Sequence, residues 1–269
     1  RGFLIGATSG RTTLAGEGLQ HQDGHSHLLA LAPTKVKAYD PAFAYELAVI
    51  VHEGLTRMYC QQEDWIYYLT VMNETYPMPA MPKRAGIRDG IIKGMYKYQA
   101  GSKGKHKAHL LGSGAILNEA LKAQQILADK YQVKADVWSV TSYKELYSDA
   151  VECERWNLLN PEKKAKKPYL GKLLEKEKGV FVAASDYMKV LPAAVSQWFP
   201  SPLHCLGTDG FGRSDSRANL RDFFEIDCRY IVVATLRQLA LNGEIEMAVV
   251  GKAIKELEIN PDKLNPHVD

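Results

Sequence analysis

Between residues 109 and 257, strand signals and helix signals take turns along the chain, and that alternation restricts the fold more than any other feature of these 269 residues. Apolar or β-branched runs at 109–111, 136–141, 180–184 and 203–206 are separated by helical periodicity at 116–131, 143–156 and 188–198. Strands joined by helices of about ten to fifteen residues run in the same direction, so a mostly parallel, helix-covered sheet is expected. Further helices at 216–224, 228–242 and 246–257 would complete the cover.

The first third repeats the pattern on a smaller scale. A strand over 3–7 leads into Gly6-Ala7-Thr8-Ser9-Gly10, which reads as a tight loop. Pro41 suits the first turn of a helix over 42–59, where Tyr45, Ala48, Val49, His52 and Leu55 share a face, and an aromatic strand follows at 65–71. Pro77, Pro79 and Pro82 then forbid a continuous helix or a central strand, which places a linker in the stretch up to Gly104. Two α/β units are expected, over 1–85 and 86–269.

Composition excludes more than it selects. With 34 Lys and Arg against 31 Asp and Glu the net charge is +3, which gives neither nucleic acid nor a membrane surface a strong field to meet. No window reaches the ~18 apolar residues of a spanning helix, and the apolar start is too short for a signal peptide, so a cytoplasmic protein is expected. Cys60, Cys153, Cys205 and Cys228 form no CxxC pair and read as buried or idle thiols of a reducing compartment. The run Glu162 to Lys167 reads as a solvated basic turn. Arg1, rather than Met, opens directly onto an apolar strand, so the chain is expected to start inside a larger polypeptide.

Chemistry concentrates in Gly16-Glu17-Gly18-Leu19-Gln20-His21-Gln22-Asp23-Gly24-His25-Ser26-His27. Imidazoles titrate near neutral pH, carboxylates hold charge, and glycines let backbone close around a ligand, so a proton-transfer site fits. A metal site drawing on His21, Asp23, His25 and His27 also fits, as does a plain polar surface loop. Arg213, Asp215 and Arg217 could form a carboxylate-binding cluster, or Asp215 or Ser216 could cap the following helix while the arginines pair locally. Trp156 and Tyr187 read as core aromatics. The string Ile5-Gly6-Ala7-Thr8-Ser9-Gly10 imitates a dinucleotide loop, but Arg11, Thr12 and Thr13 replace its third glycine and no tyrosine has Lys four residues on, so that reading is rejected.

The loop from Gly16 to His27 resembles that of the homodimeric decarboxylating component of bacterial pyruvate dehydrogenase, a family of the transketolase superfamily. Similar motifs recur in the same order at Tyr39-Asp40-Pro41-Ala42-Phe43-Ala44-Tyr45-Glu46, Asn73 to Pro82, Cys153-Glu154-Arg155-Trp156-Asn157 and Gly207 to Arg217. The resemblance implies the C-terminal portion of a pyrimidine-binding domain followed by a transketolase-type C-terminal domain. It implies His21 as the active-site histidine with Glu17 beside it, and Asp23, His25 and His27 as substrate-facing residues. Thiamine diphosphate and Mg2+ would serve the full-length enzyme, with a homodimeric second copy and the lipoyl domain of dihydrolipoamide acetyltransferase as partners.

One element of the family is absent from the sequence. The Gly-Asp-Gly motif that places Mg2+ against the diphosphate does not occur, and the cofactor-polarising glutamate would lie upstream. The chain is therefore expected to bind no cofactor tightly and to be inactive alone. A non-catalytic dimerisation or scaffold module is the alternative.

Overall fold

The computed structural model describes residues 1–7 and 9–268; Thr8, part of the expected tight loop, and Asp269 lie outside it. Three parallel strands form the first sheet, β1 (Gly2–Ala7), β2 (Val36–Tyr39) and β3 (Ile66–Val71), in the order β1-β3-β2 with Gly2 and Val36 both opposite Ile66. Between them lie α1 (Ser26–Leu31) and α2 (Ala44–Leu55), the latter running into a π-helical turn at Thr56–Cys60. The sequence reading missed α1 and β2. Each is four to six residues long, and β2 carries Lys37, so neither shows a sustained period.

The expected linker is not structureless: it holds α3 (Ile87–Lys93) and β4 (Met95–Gln99). Then follow β5 (His106–Gly112), α4 (Leu117–Tyr131), β6 (Val133–Val140), α5 (Tyr143–Leu159), α6 (Tyr169–Leu173) and β7 (Val180–Ala184). A four-residue α7 (Val190–Ala193), β8 (Leu203–Leu206), α8 (Arg217–Phe223), α9 (Cys228–Leu241) and α10 (Met247–Glu256) complete the order. The sheet order is β4-β6-β5-β7-β8, parallel except for β4, which pairs antiparallel with β6. The helix expected over 188–198 is broken into α7 and a 3-10 turn at Ser196–Trp198, because Val195 between them leaves helical conformation at φ −108° and ψ 3°.

Period-two alternation on the central strands divides the core of this larger sheet. Ala108, Leu110, Val137 and Val182 face α4 and α9, whereas Leu111, Trp138, Phe181 and Ala183 pack with Leu146, Leu170 and Leu191 on the opposite face. Strands buried on both faces read as continuous apolar runs, which is why they were visible in the sequence. The α/β, mostly parallel architecture expected from the alternation is the one observed. Among the described residues no helix is long and apolar enough to cross a membrane.

The two sheets meet through buried polar bonds. Glu46 on α2 is fully buried: Oε2 accepts the backbone N–H groups of Ala42 (2.6 Å) and Phe43 (3.1 Å), while Oε1 accepts Tyr96 of β4 and Ser139 of β6, each at 2.6 Å. Asp40, just after β2, donates its N–H to the Thr141 carbonyl at 2.8 Å. Ser142 donates its hydroxyl to the Ala38 carbonyl at 2.6 Å and also caps α5. These bonds bring the carboxyl ends of the strands of both sheets to one crevice.

Candidate functional site

The histidine loop runs along that crevice. Gly24 lets it pass over Arg11, because a Cβ there would sit 2.4 Å from the guanidinium Nε. Asp23 spends its carboxylate on the turn into α1, accepting the N–H groups of His25 (3.1 Å) and Ser26 (2.9 Å) and the Ser26 hydroxyl. His21 closes a 3-10 turn over Leu19–His21 and is exposed, and Glu17 is half-exposed. His25 is exposed too, with Nε2 3.2 Å from Arg11 Nη2. Since a guanidinium only donates, His25 Nε2 accepts.

His27 points the other way. It is buried on α1, with Nε2 2.9 Å from the Thr70 hydroxyl, which donates to Asp40 Oδ1 at 2.7 Å. Because Thr70 gives its single proton to Asp40, His27 carries its proton on Nε2 and donates it to Thr70. The ring lies edge-on to Tyr187, with centroids 4.7 Å apart, and tilted against Tyr68. Burial lowers the His27 pKa to about 4 and raises that of Asp40 to about 7.

The His27 shift has a testable sign. The folded chain holds His27 neutral, so its contribution is present above the usual value of 6.5 and is lost as pH falls towards about 4. Relative to wild type, His27→Gln is expected to gain stability by up to about 1.4 kcal/mol per pH unit across that window. Urea unfolding of both proteins at several pH values reads the difference, and a gap that does not move with pH rejects a buried neutral His27.

Residues on which the sequence reading placed no function complete the crevice. Arg11 is 2% exposed and donates Nη1–H to the carbonyls of Thr208 (2.6 Å) and Gly210. The Thr12 N–H meets both Asp186 oxygens at 3.1 Å, and its hydroxyl meets Oδ1 at 2.6 Å. Burial pushes the Asp186 carboxyl up to about 6. Gly10 adopts φ +88°, and a Cβ there would lie 2.1 Å from Asp186 Oδ2, so a residue that looked like part of a dinucleotide loop makes room for a carboxylate from the other sheet. The signal for Arg11 was in the sequence only as an interruption of that glycine pattern.

Other sequence readings sort out locally. Ser216 caps α8 by accepting the Asn219 N–H at 3.3 Å, Arg217 donates to the Thr13 and Asn73 carbonyls, and Arg213 stacks 4.0 Å over Phe223. Capping thus accounts for Ser216, and Asp215 bonds locally to Asn219, but Arg217 does not pair locally as expected: it reaches backbone carbonyls more than a hundred residues away. Tyr187 is a core aromatic as expected, but Trp156 is only half-buried, with Lys166 Nζ 4.4 Å above its ring, because the basic turn folds back on α5. All four cysteines are free; Cys60 is exposed, and burial pushes Cys205 up to about 12 and Cys228 to about 11.

A metal or cofactor needs donors that are not already spent. Among the described residues the one group of His, Cys, Asp or Glu ligand atoms within 4.8 Å of one another is His109 in the middle of β5, Asp136 in the middle of β6 and Glu177 ahead of β7. Lys97 bonds Asp136 (2.8 Å) and Glu177 (2.6 Å), Lys107 bonds Glu177 (2.6 Å), and both His109 nitrogens are engaged by Trp138 and the Lys178 carbonyl. That cluster is an ion-pair network, and His21, Asp23, His25 and His27 form no such group. The donor set of the described residues does not fit a metal-bound diphosphate.

Comparison with known proteins agrees with the architecture. The family model "Pyruvate dehydrogenase E1 component middle domain" matches residues 1–79, and "Transketolase-like TK C-terminal domain" matches residues 94–227. The pyruvate dehydrogenase E1 component of Pseudomonas aeruginosa is 52% identical over 267 residues, covering 98% of this chain and 30% of the relative; that of Escherichia coli K12 is 52% identical over 270 residues, covering 100% and 30%. This chain belongs to the pyruvate dehydrogenase E1 component family. It spans about a third of the length of these E1 relatives. Solved transketolases share the E1-family fold: a variant from Pichia stipitis superposes with a TM-score of 0.63 at 14% identity over 90% of this chain and 30% of its own. A split-gene transketolase described as an inactive β4 tetramer does so with a TM-score of 0.59 at 16% identity over 89% of this chain and 66% of its own.

Proposed function

We propose that this chain is part of the thiamine-diphosphate-dependent decarboxylating component of a cytoplasmic pyruvate dehydrogenase complex, which decarboxylates pyruvate and passes the acetyl group to lipoamide. The observation that carries the reading is an exposed imidazole, His21, on a loop whose neighbouring residues are fixed from below by Asp23, Gly24, Arg11 and His27. A group that moves protons must be reachable and held still, and the loop supplies both. Thiamine diphosphate and Mg2+ would be held in the full-length enzyme by residues other than those described above.

In this reading His21 moves a proton at the oxygen of the substrate-derived group, with Glu17 beside it. His25 is exposed on the same loop. Asp23 and His27, named as substrate-facing by the family resemblance, act from beneath, one by setting the turn and the other by tying the loop to Thr70 and Asp40. The units 1–85 and 86–269 serve as the two walls of the crevice, a second copy completes the homodimer, and the lipoyl domain of dihydrolipoamide acetyltransferase is the acceptor partner. No nucleic acid or membrane surface takes part.

In the full-length enzyme, His21→Ala is expected to lower pyruvate turnover about 100-fold while leaving circular dichroism unchanged. Turnover at the wild-type level would sink the assignment. A second reading, a non-catalytic dimerisation or scaffold module, is favoured by the likeness to the inactive split-gene tetramer. It predicts that supplying the remaining polypeptide in trans restores no turnover.

A further inference from the structure

We infer that the motif Cys153-Glu154-Arg155-Trp156-Asn157 and the basic turn after it form a docking groove for an acidic peptide segment that carries apolar side chains. Both features stand out in the sequence, and neither belongs to the histidine loop. The structure joins them. Asn157 on α5 accepts the Lys166 N–H at 2.7 Å and donates its amide to the Lys166 carbonyl at 2.9 Å, so one side chain closes the paired bridge that a neighbouring β-strand would make. Lys166 Nζ lies 4.4 Å and Lys163 Nζ 5.9 Å from the ring of Trp156, and Asp149, earlier on α5, accepts the Tyr169 N–H beyond the turn. A charge run that reads as a solvated turn is fastened along a helix.

The wall so formed borders a cavity of about 700 Å3 lined by Lys164, Lys166, Lys167 and Lys172 together with Asp149 and Glu152. Of these lysines only Lys167 has a carboxylate within 4 Å among the described residues, that of Glu175. A second cavity, of about 310 Å3, shares Asp149 and Lys172 and adds Arg57 and Lys93, so the groove continues across the face. Lys93 lies 5.4 Å over the Tyr169 ring. A chain whose net charge is only +3 therefore holds several cations side by side here, and their mutual repulsion is relieved by a partner with spaced negative charges.

The rest of the lining selects a peptide among polyanions. Asp149 and Glu152 on α5 repel a dense row of phosphates, but carboxylates accept backbone N–H groups, and a peptide brings those together with its own spaced carboxylates. Leu158 and Leu159, directly after the motif, are both exposed and give apolar side chains of the segment a surface to cover. The inference does not rest on the proposed decarboxylation, because none of the residues assigned to that reaction lines the groove.

Fluorescence anisotropy with the full-length polypeptide carrying these residues tests it. The probe is a fluorescein-labelled peptide of glutamates interspersed with leucines; the comparators are the same peptide with glutamine for glutamate, a leucine-free acidic peptide and sodium tripolyphosphate. Saturable probe binding is expected, weakened at least about tenfold by Lys164→Glu/Lys172→Glu and several-fold by Asn157→Ala, which releases the turn from α5. If Asn157→Ala does not fold, the lysine variant decides alone. Absence of saturable probe binding, equal binding by the lysine variant or by folded Asn157→Ala, equal binding of the glutamine or leucine-free peptide, or tighter binding of tripolyphosphate each overturns the inference.

Discussion

Replacing Glu46 with alanine is expected to destabilise the folded chain by about 3–5 kcal/mol. The side chain is fully buried and is the common acceptor of four donors from three places: the entry of its own helix α2, Tyr96 on the antiparallel edge strand β4 and Ser139 on β6. Burial pushes its pKa up and the donors pull it back, so the carboxylate is held at the junction by those bonds. Truncation leaves two N–H groups and two hydroxyls to find partners where water has no access, and each buried unpaired group costs about 1–3 kcal/mol. Urea unfolding should show a lower midpoint at unchanged slope, since the loss lies in the native state. Glu46→Gln keeps one acceptor oxygen and should lose less. An alanine variant within about 1 kcal/mol of wild type would show that water or rearrangement supplies the missing acceptors.

Arg221→Leu should have an effect of similar size, about 3–5 kcal/mol, for a different reason. The Arg221 side chain is only 8% exposed and holds both Glu74 oxygens from the segment after β3, Glu119 on α4 at 3.5 Å, and the Thr12 hydroxyl at 3.3 Å. Glu119 is itself nearly buried and accepts the Cys228 N–H at the start of α9. Removing the cation leaves two acids facing each other with only the largely exposed Lys122 near one of them. The mechanism predicts partial recovery in the double variant Glu74→Gln/Arg221→Leu, because one uncompensated charge is gone. Additive losses in that cycle would mean that Arg221 acts by packing and not by charge.

How much of this the sequence disclosed depended on how far each interaction reaches along the chain. The strands β5 to β8 and the long helices α4, α5 and α9 announce themselves because burial on both faces or on one helical face repeats over many residues. Short elements do not: α1 hides inside the histidine loop, and β4 lies in a stretch that reads as linker, since an edge strand needs few apolar residues. The same limit governs the site. His21, Asp23, His25 and His27 stand within seven residues and could be seen together, whereas Thr70 and Asp40, which fix His27, and Asp186 and the Thr208 carbonyl, which hold Thr12 and Arg11 beneath the loop, come from elsewhere in the chain, Thr208 almost two hundred residues from Arg11. Proximity of that kind is created by folding alone. Even the inward orientation of His27 follows from tertiary packing around Tyr187 and Tyr68.

The strands of the larger sheet assign different tasks to their two ends. Ser113 after β5 and Asp186 after β7 open into the crevice, while residues 100–105 precede the amino end of β5, about 20 Å away along a seven-residue strand. Gly101 and Gly104 lie so close to β6 that a Cβ would sit 2.5 Å from the Ala135 carbonyl oxygen and 2.4 Å from the Lys134 nitrogen, but Ser102 and Lys103 between them are exposed. That turn is a natural port for grafting a reporter peptide or fluorophore, since cargo added there leaves the strand register and the distant loop undisturbed. The two glycines act as a mount, and the sheet separates the label from the chemistry.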